Sequence, residues 1–349
     1  MLSAITPVVA VVTLAACTTS DPRDAEASAV LDHAIPQDGP GCSGAVAQEG
    51  DVIWTYARGM ADVERAIPID TATRFNIGSV SKQFTATAAL MLAERGELAL
   101  DDPVSAHLGG LPPWSDEVTV QDLMHHTSGI IDQLLPSGAD VVIDRDALLR
   151  NLESRPALRK DRSSFHYAND NFLLLGLIVE DVAGTSLAEW MDDQVFSPYE
   201  LDMAVDPGAI GEDIAVGYRE AHEPFTVAPN NIFVAGPTGV IATPSELARW
   251  GDHYRSPQVL SADALEEALD RAASTDDDEL GVYSAGVFES PDGTLWHDGS
   301  ISGIHTFFAV SADRNMTFAI SCNRWIVDAG EIVEDLGEIW FPENADVGG

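Results

Sequence analysis

The sequence predicts an α/β protein of the α+β kind: an antiparallel sheet flanked by the terminal helices, with an all-helical lobe inserted into it. Three observations carry this. Strand-type runs sit near both ends of the 349-residue chain, helical runs fill its middle, and no repeat or low-complexity block interrupts the order. Strands separated by so many helices pair into one sheet when the intervening helices fold out as a lobe.

The elements follow in order. Ala25 to Ile35 has helical character and reads as a short lead-in helix. Gly44 to Ala57 reads as a hairpin, with apolar GAVA and VIWTYA arms around a QEGD turn. From Ser79 to Glu94 the residues are mostly Ala, Leu, Met, Phe and Thr, without Gly or Pro, and Gly96 follows as a stop. That pattern is a largely buried helix. Further helices are expected over Val118 to His126, Arg145 to Ser154, Asn169 to Val182, Ser186 to Phe196, Pro244 to Tyr254 and Ala262 to Ala273. Strand character returns at Gly281 to Ser290, Thr294 to His297, His305 to Ser311 and Met316 to Cys322, with a turn at Ala312 to Asn315. Val327 to Phe341 closes the chain as an amphipathic helix.

Residues 36–345 are expected to form a single domain, its sheet lobe at about 36–75 and 280–345 and its helical lobe at about 76–279. Before it, the apolar run from Ile5 to Ala16 is too short to span a membrane and suits the core of a signal peptide over residues 1–16. Leu14-Ala15-Ala16-Cys17 resembles the lipobox of bacterial lipoproteins. It implies cleavage before Cys17, lipidation of its thiol, and residues 17–35 as tether and lead-in helix. The expected location is therefore the bacterial cell envelope or periplasm, anchored to a membrane through lipid.

Composition excludes other classes. Lys and Arg total 18 against 57 for Asp and Glu, a formal charge of −39. A surface this acidic repels phosphate backbones, so no nucleic-acid partner is expected. The acidic residues are spread along the chain, as on a solvated surface suited to saline conditions. No Gly-rich phosphate loop and no Gly-x-Ser-x-Gly elbow is present. His125-His126 lacks an HExxH context or a second ligand cluster, so no metal or cofactor is expected.

Three motifs carry chemistry. In Gly78-Ser79-Val80-Ser81-Lys82, residues three apart share a helix face, which puts the Lys82 amine beside the Ser79 hydroxyl. A Ser–Lys pair is one way to activate a nucleophile, and a helix N-terminus favours charge developing on its oxygen. Ser81 is the rival nucleophile but lacks that spacing. Tyr167-Ala168-Asn169 lies in a polar stretch before an apolar helix, and its alternate residues project together. Tyr167 is a candidate proton-transfer group, and Asn169 a candidate to hold a substrate amide. Lys and Tyr both carry their protons at neutral pH with ordinary pKa values, so at least one must be lowered. In His297-Asp298-Gly299-Ser300, Gly299 permits close approach to a strand backbone. The Ser300 N–H then joins that of Ser79 as an oxyanion hole.

The order Ser-x-x-Lys, Tyr-x-Asn, His-x-Gly resembles the serine β-lactamase/DD-peptidase superfamily. The branch it looks most like holds class C β-lactamases, penicillin-binding carboxypeptidases and related esterases. FNIGSVSKQFTA, DLMHHTSGI, YANDNFLLLGLIVEDVAGTSL, GPTGVIATPSELARW and HDGSISGIHTFF agree with it, and the resemblance runs from about Gly44 to Phe341. It implies a β-lactamase/transpeptidase-like fold and a cleft holding Ser79, Lys82, Tyr167, Asn169 and His297. It also implies an exported serine hydrolase that forms a Ser79 acyl-enzyme. Amides, D-amino-acid peptides, peptidoglycan-derived peptides, β-lactams and small esters all suit such a serine. The alternative is a non-catalytic penicillin-recognising sensor or cell-wall binding protein. Two segments depart from the family at the cleft rim: SPYELDM replaces a Pro-Leu-Gly-Met run, and no Pro-Gly precedes Tyr167. His297 stands where many β-lactamases have Lys, and a neutral His is a poorer partner for a substrate carboxylate. In the resembling fold the first strand runs antiparallel to the last. That places Cys42 beside Cys322, and export makes a disulfide between them chemically possible.

Overall fold

The two ends of the chain meet in one sheet. The structure is a computed structural model that describes residues 21–132, 143–154, 158–159, 164–219, 224–324 and 327–341. Eight antiparallel strands form the main sheet: β1 (Cys42–Gln48), β2 (Asp51–Arg58), β3 (Ala273–Ser274), β4 (Val282–Ser284), β5 (Val287–Glu289), β6 (Leu295–Ile301), β7 (Ile304–Val310) and β8 (Met316–Cys322). Their spatial order is β3-β4-β5-β6-β7-β8-β1-β2, so the first strand pairs with the last. The register sets Cys42 opposite Cys322, and the two form a disulfide.

Helices cover both faces of this sheet. The terminal helices α1 (Pro22–Ala34) and α9 (Ala329–Trp340) pack on each other and on one face. On the other face α7 (Pro244–Trp250) lies against β1 and β8. This is why β8, MTFAISC, is buried at every position and shows no apolar–polar alternation. Asp21 caps α1 by accepting from the Arg23 N–H, so that helix starts inside the stretch expected to be a polar tether. Residues 1–20, including Cys17 and the expected signal peptide, lie outside the described residues.

The helical lobe is built on α2 (Lys82–Glu94) and α5 (Asn169–Ala183), which pack side by side, and it also holds α4 (Arg145–Glu153) and α8 (Ala262–Asp270), the latter against α2. The short α3 (Val120–Met124) packs on α5, as does α6 (Leu187–Met191), and each opens with a capping box: Thr119 with Asp122, and Ser186 with Glu189. Gly184, with φ 70°, ends α5 in the left-handed conformation that favours glycine.

Several boundaries differ from expectation. The run Gly281 to Ser290 is two strands, because Ala285 and Gly286 both take positive φ and turn the chain back as a hairpin. The strand expected over Thr294 to His297 continues through the His-x-Gly motif to Ile301. Ser186 to Phe196 is α6 followed by a π-helical turn, and Val118 to His126 is helical only at its centre. The inserted lobe is not all-helical. A small sheet of Phe75–Asn76, Val240–Ala242 and Ala204–Val205 lies at its junction with the main sheet, and Ala273–Ser274 adds an edge strand to the main sheet itself. Pairs this short carry little periodicity, and long-range contact decides them.

Candidate active site

Ser79 lies not in an α-helix but in a 3₁₀ turn, Gly78–Ser81, that runs straight into α2. In a 3₁₀ turn residues three apart eclipse, which stacks Lys82 on Ser79 more tightly than an α-helix would. The turn needs Gly78 at φ 56°. A Cβ there would stand 3.0 Å from the Gly299 carbonyl carbon and from Ser300 N, while a Cβ on Gly299 would stand 3.0 Å from Ser79 N and collide with the Ile77 carbonyl oxygen. Two bare backbones therefore meet, which brings the backbone nitrogens of Ser79 and Ser300 close to one another.

Lys82 is fully buried. Its Nζ lies 2.9 Å from Ser79 Oγ, 2.8 Å from Asn169 Oδ1 and 2.9 Å from the Pro237 carbonyl oxygen. Burial pulls its pKa down from the ordinary lysine value to about 7, against the opposing pull of the Asp132 and Asp298 carboxylates. At neutral pH a large share of this lysine is a free amine. Two of its hydrogens then go to Asn169 and Pro237, and the lone pair is left for the Ser79 hydroxyl.

Tyr167 completes the group. The Ser79 hydroxyl bonds to its phenol, and the Lys82 Nζ stands 4.9 Å from its ring centre. Burial among the rings of His126, Tyr283 and His297 pushes the phenol's pKa up, and the bond with Ser79 only partly offsets this. Of the two candidates for a lowered pKa, the lysine is the one lowered and the phenol rests protonated.

Asn169 and His297 stand differently from expectation. The Asn169 oxygen is taken by Lys82, and its Nδ2 donates to Asp132 Oδ2 at 3.1 Å, so only the second amide hydrogen is left for a substrate. His297 is buried, and burial lowers its pKa to about 4, so it is neutral at pH 7. Its Nδ1 donates to the Asp298 carbonyl at 2.5 Å, and Nε2 faces the Tyr283 hydroxyl at 3.5 Å. Ser81 is buried, and its Oγ accepts from Val240 N at 3.1 Å, which makes it a structural hydroxyl.

Three contributors escaped the sequence reading. Pro237 supplies a backbone carbonyl, which no side-chain pattern reveals. Asp132 enters the site through its bonds to Asn169 and its charge near Lys82, and no motif marks it. His126 reads in the sequence as a metal ligand or half of a Ser/His pair with Ser128, not as a support for Tyr167. Its carbonyl accepts from His166 N at 2.8 Å, and its Nδ1 accepts from Ala168 N at 3.3 Å and Asn171 Nδ2 at 2.9 Å. It thus clamps the Tyr167 segment. His125 instead bonds to Gln121 O and Ser284, and among the described residues no group of His, Cys, Asp or Glu is arranged to hold a metal ion. A separate apolar cavity of about 380 Å³, lined by Ile214, Val216, Val227, Ile241 and Ile304, reaches Asn76 but not Ser79, Lys82 or Tyr167.

The chain is similar to known proteins in sequence and in fold. The family model described as Beta-lactamase matches residues 28–335. Protein flp of Staphylococcus aureus (strain MW2) is 24% identical over 311 residues, covering 85% of this chain and 62% of that protein. The D-aminopeptidase of Gluconobacter oxydans is 28% identical over 338 residues, covering 89% of this chain and 62% of that protein. This chain therefore spans 62% of the length of these two curated relatives. Among solved structures, the D-amino acid amidase of Ochrobactrum anthropi SV3, complexed with D-phenylalanine, superposes with a TM-score of 0.80 at 18% identity, covering 92% of this chain and 100% of that one. At that identity the likeness concerns the fold. The family match, which runs through both lobes, shows that the chain belongs to the Beta-lactamase family, within the serine hydrolase superfamily.

Proposed function

We propose that this protein hydrolyses amide and ester bonds through a Ser79 acyl-enzyme, with Lys82 as the base and Tyr167 as the proton relay. The observation that carries the reading is the Lys82 amine, held by the Asn169 and Pro237 oxygens with its Nζ 2.9 Å from Ser79 Oγ and lowered to a pKa of about 7. As Oγ attacks the carbonyl carbon, its proton passes to Lys82 Nζ. The new oxyanion sits between the Ser79 and Ser300 N–H groups. Tyr167 gives its proton to the leaving nitrogen or oxygen as that bond breaks, and the Lys82 ammonium returns a proton to the phenolate. Water then attacks the acyl-enzyme by the reverse route and releases the acid. No metal or cofactor is required by these steps.

Within this chemistry we favour D-aminoacyl amides and esters over substrates with a free C-terminal carboxylate. A neutral, buried His297 in the third motif offers no cation for a carboxylate, and Asp132 and Asp298 give the cleft negative charge. Relatives named D-aminopeptidase and D-amino acid amidase support the same choice. A turnover screen with a D-phenylalanine amide, a p-nitrophenyl ester, nitrocefin and a D-Ala-D-Ala peptide tests it. The D-aminoacyl amide and the ester are expected to turn over fastest. Preference for nitrocefin or the D-Ala-D-Ala peptide would overturn this substrate class, and fluorophosphonate labelling without any turnover would point to the sensor reading. We further propose export with a lipidated Cys17, on the strength of the Leu14-Ala15-Ala16-Cys17 segment.

A further inference from the structure

We propose that Asp132 is a positioning residue for Lys82: by accepting from both the backbone and the side-chain N–H of Asn169, it fixes that amide with its oxygen toward the lysine amine. The inference rests on the reading of Lys82 as the base.

The geometry is a relay of three residues from three parts of the chain. Asp132 Oδ1 accepts from Asn169 N at 3.0 Å and Oδ2 from Asn169 Nδ2 at 3.1 Å. The two bonds leave the amide one orientation, because a flip would turn its oxygen onto a carboxylate. In that orientation Oδ1 faces Lys82 Nζ at 2.8 Å. A flipped amide would present hydrogens to an amine that needs an acceptor. One of the two anchors that hold the amine's hydrogens away from Ser79 would then be lost, and the lone pair would no longer be aimed at the hydroxyl.

Charge adds a second effect. The titratable groups around Lys82 are Tyr167 from the loop before α5, His126 from the segment after α3, His297 and Asp298 from β6, and Asp132 itself. The two histidines are held neutral by burial and the phenol is held protonated. The carboxylates are therefore the charged neighbours that favour the ammonium, and Asp132 contributes more than Asp298. Removing its charge makes the free amine easier to form, while removing its hydrogen bonds makes that amine less well aimed. A residue that merely supported the fold would do neither.

The test is the pH profile of kcat/KM for Asp132→Asn and Asp132→Glu, with a D-aminoacyl ester as probe. For Asp132→Asn the acid limb is expected to move down by roughly half a unit or more, while the plateau falls about tenfold. Asp132→Glu keeps the limb within a few tenths of a unit of wild type. In an Asn169→Ala background, Asp132→Asn is expected to cost no further plateau activity, because the amide it orients is gone. An unmoved limb in Asp132→Asn, a limb moved equally by Asn and Glu, or full additivity with Asn169→Ala would each overturn the proposal. If Asp132→Asn does not fold, the Glu profile and its cycle with Asn169→Ala decide in the same way. A wild-type enzyme with no acid limb near pH 7 would sink the lysine-base reading instead, and this inference with it.

Discussion

Cys42 and Cys322 are register partners across β1 and β8, and the disulfide between them ties together residues 280 apart in the chain. The two strands are sixth and seventh of the eight in the sheet, and the whole helical lobe lies between them in the sequence. A cross-link that closes so long a loop is expected to stabilise the fold by about 4 kcal/mol, the upper end of the usual range, through restriction of the unfolded chain. Cys42→Ala/Cys322→Ala is therefore expected to unfold at clearly lower denaturant concentration and to keep its activity while folded. An unchanged midpoint would show that the bridge contributes nothing.

Ser79 and Ser81 separate cleanly in a substitution pair. Ser79→Ala is expected to abolish acylation. Ser81→Ala loses the acceptor for Val240 N, which is expected to cost about 1 kcal/mol of stability while leaving most of the acylation. Intact-protein mass spectrometry after fluorophosphonate treatment reads both, and an adduct on any residue other than Ser79 would refute the assignment.

The lowered Lys82 pKa sets a pH dependence. Below about 7 the amine carries its third proton and has no lone pair for the Ser79 hydroxyl, so kcat/KM is expected to fall as pH drops through that value. Above it the amine is free and the profile levels off. Lys82→Ala is expected to be nearly inactive at every pH, and appreciable turnover by that variant at neutral pH would remove Lys82 from the mechanism.

Tyr167→Phe keeps the ring that packs on His126 and Tyr283 and removes only the hydroxyl. The loss expected is roughly a hundredfold in kcat, the scale of one acid–base group, with little change in melting temperature. Because the phenol rests protonated, the acid limb belongs to Lys82 and is expected to persist in the variant. Near-normal turnover would exclude the relay.

Cys17→Ser is expected to release the protein from membranes, if wild type begins at a lipidated Cys17. N-terminal mass analysis of the mature chain settles the point: residues 1–16 still attached would contradict cleavage there.

The sequence by itself determined the helices and strands that rest on local pattern. The apolar run from Asn169, the β8 run Met316 to Cys322 and the turn at Ala312 to Asn315 all stand where periodicity and turn residues put them. It also determined the Ser79–Lys82 juxtaposition, since a three-residue spacing on one helical turn needs no distant partner. Tertiary structure decided what the lysine is. Its lowered pKa comes from desolvation, and its aim comes from Pro237 and Asn169, 155 and 87 residues away in the chain. The orientation of Asn169 in turn depends on Asp132, which no motif marks. Tertiary contact likewise decided that Tyr167 is not the group whose pKa is lowered, because the rings that desolvate it come from separate segments. Local sequence selects backbone conformation through short-range sterics and periodicity. A pKa and an amide orientation depend on which groups exclude water and offer hydrogen bonds, and only the folded chain brings those together.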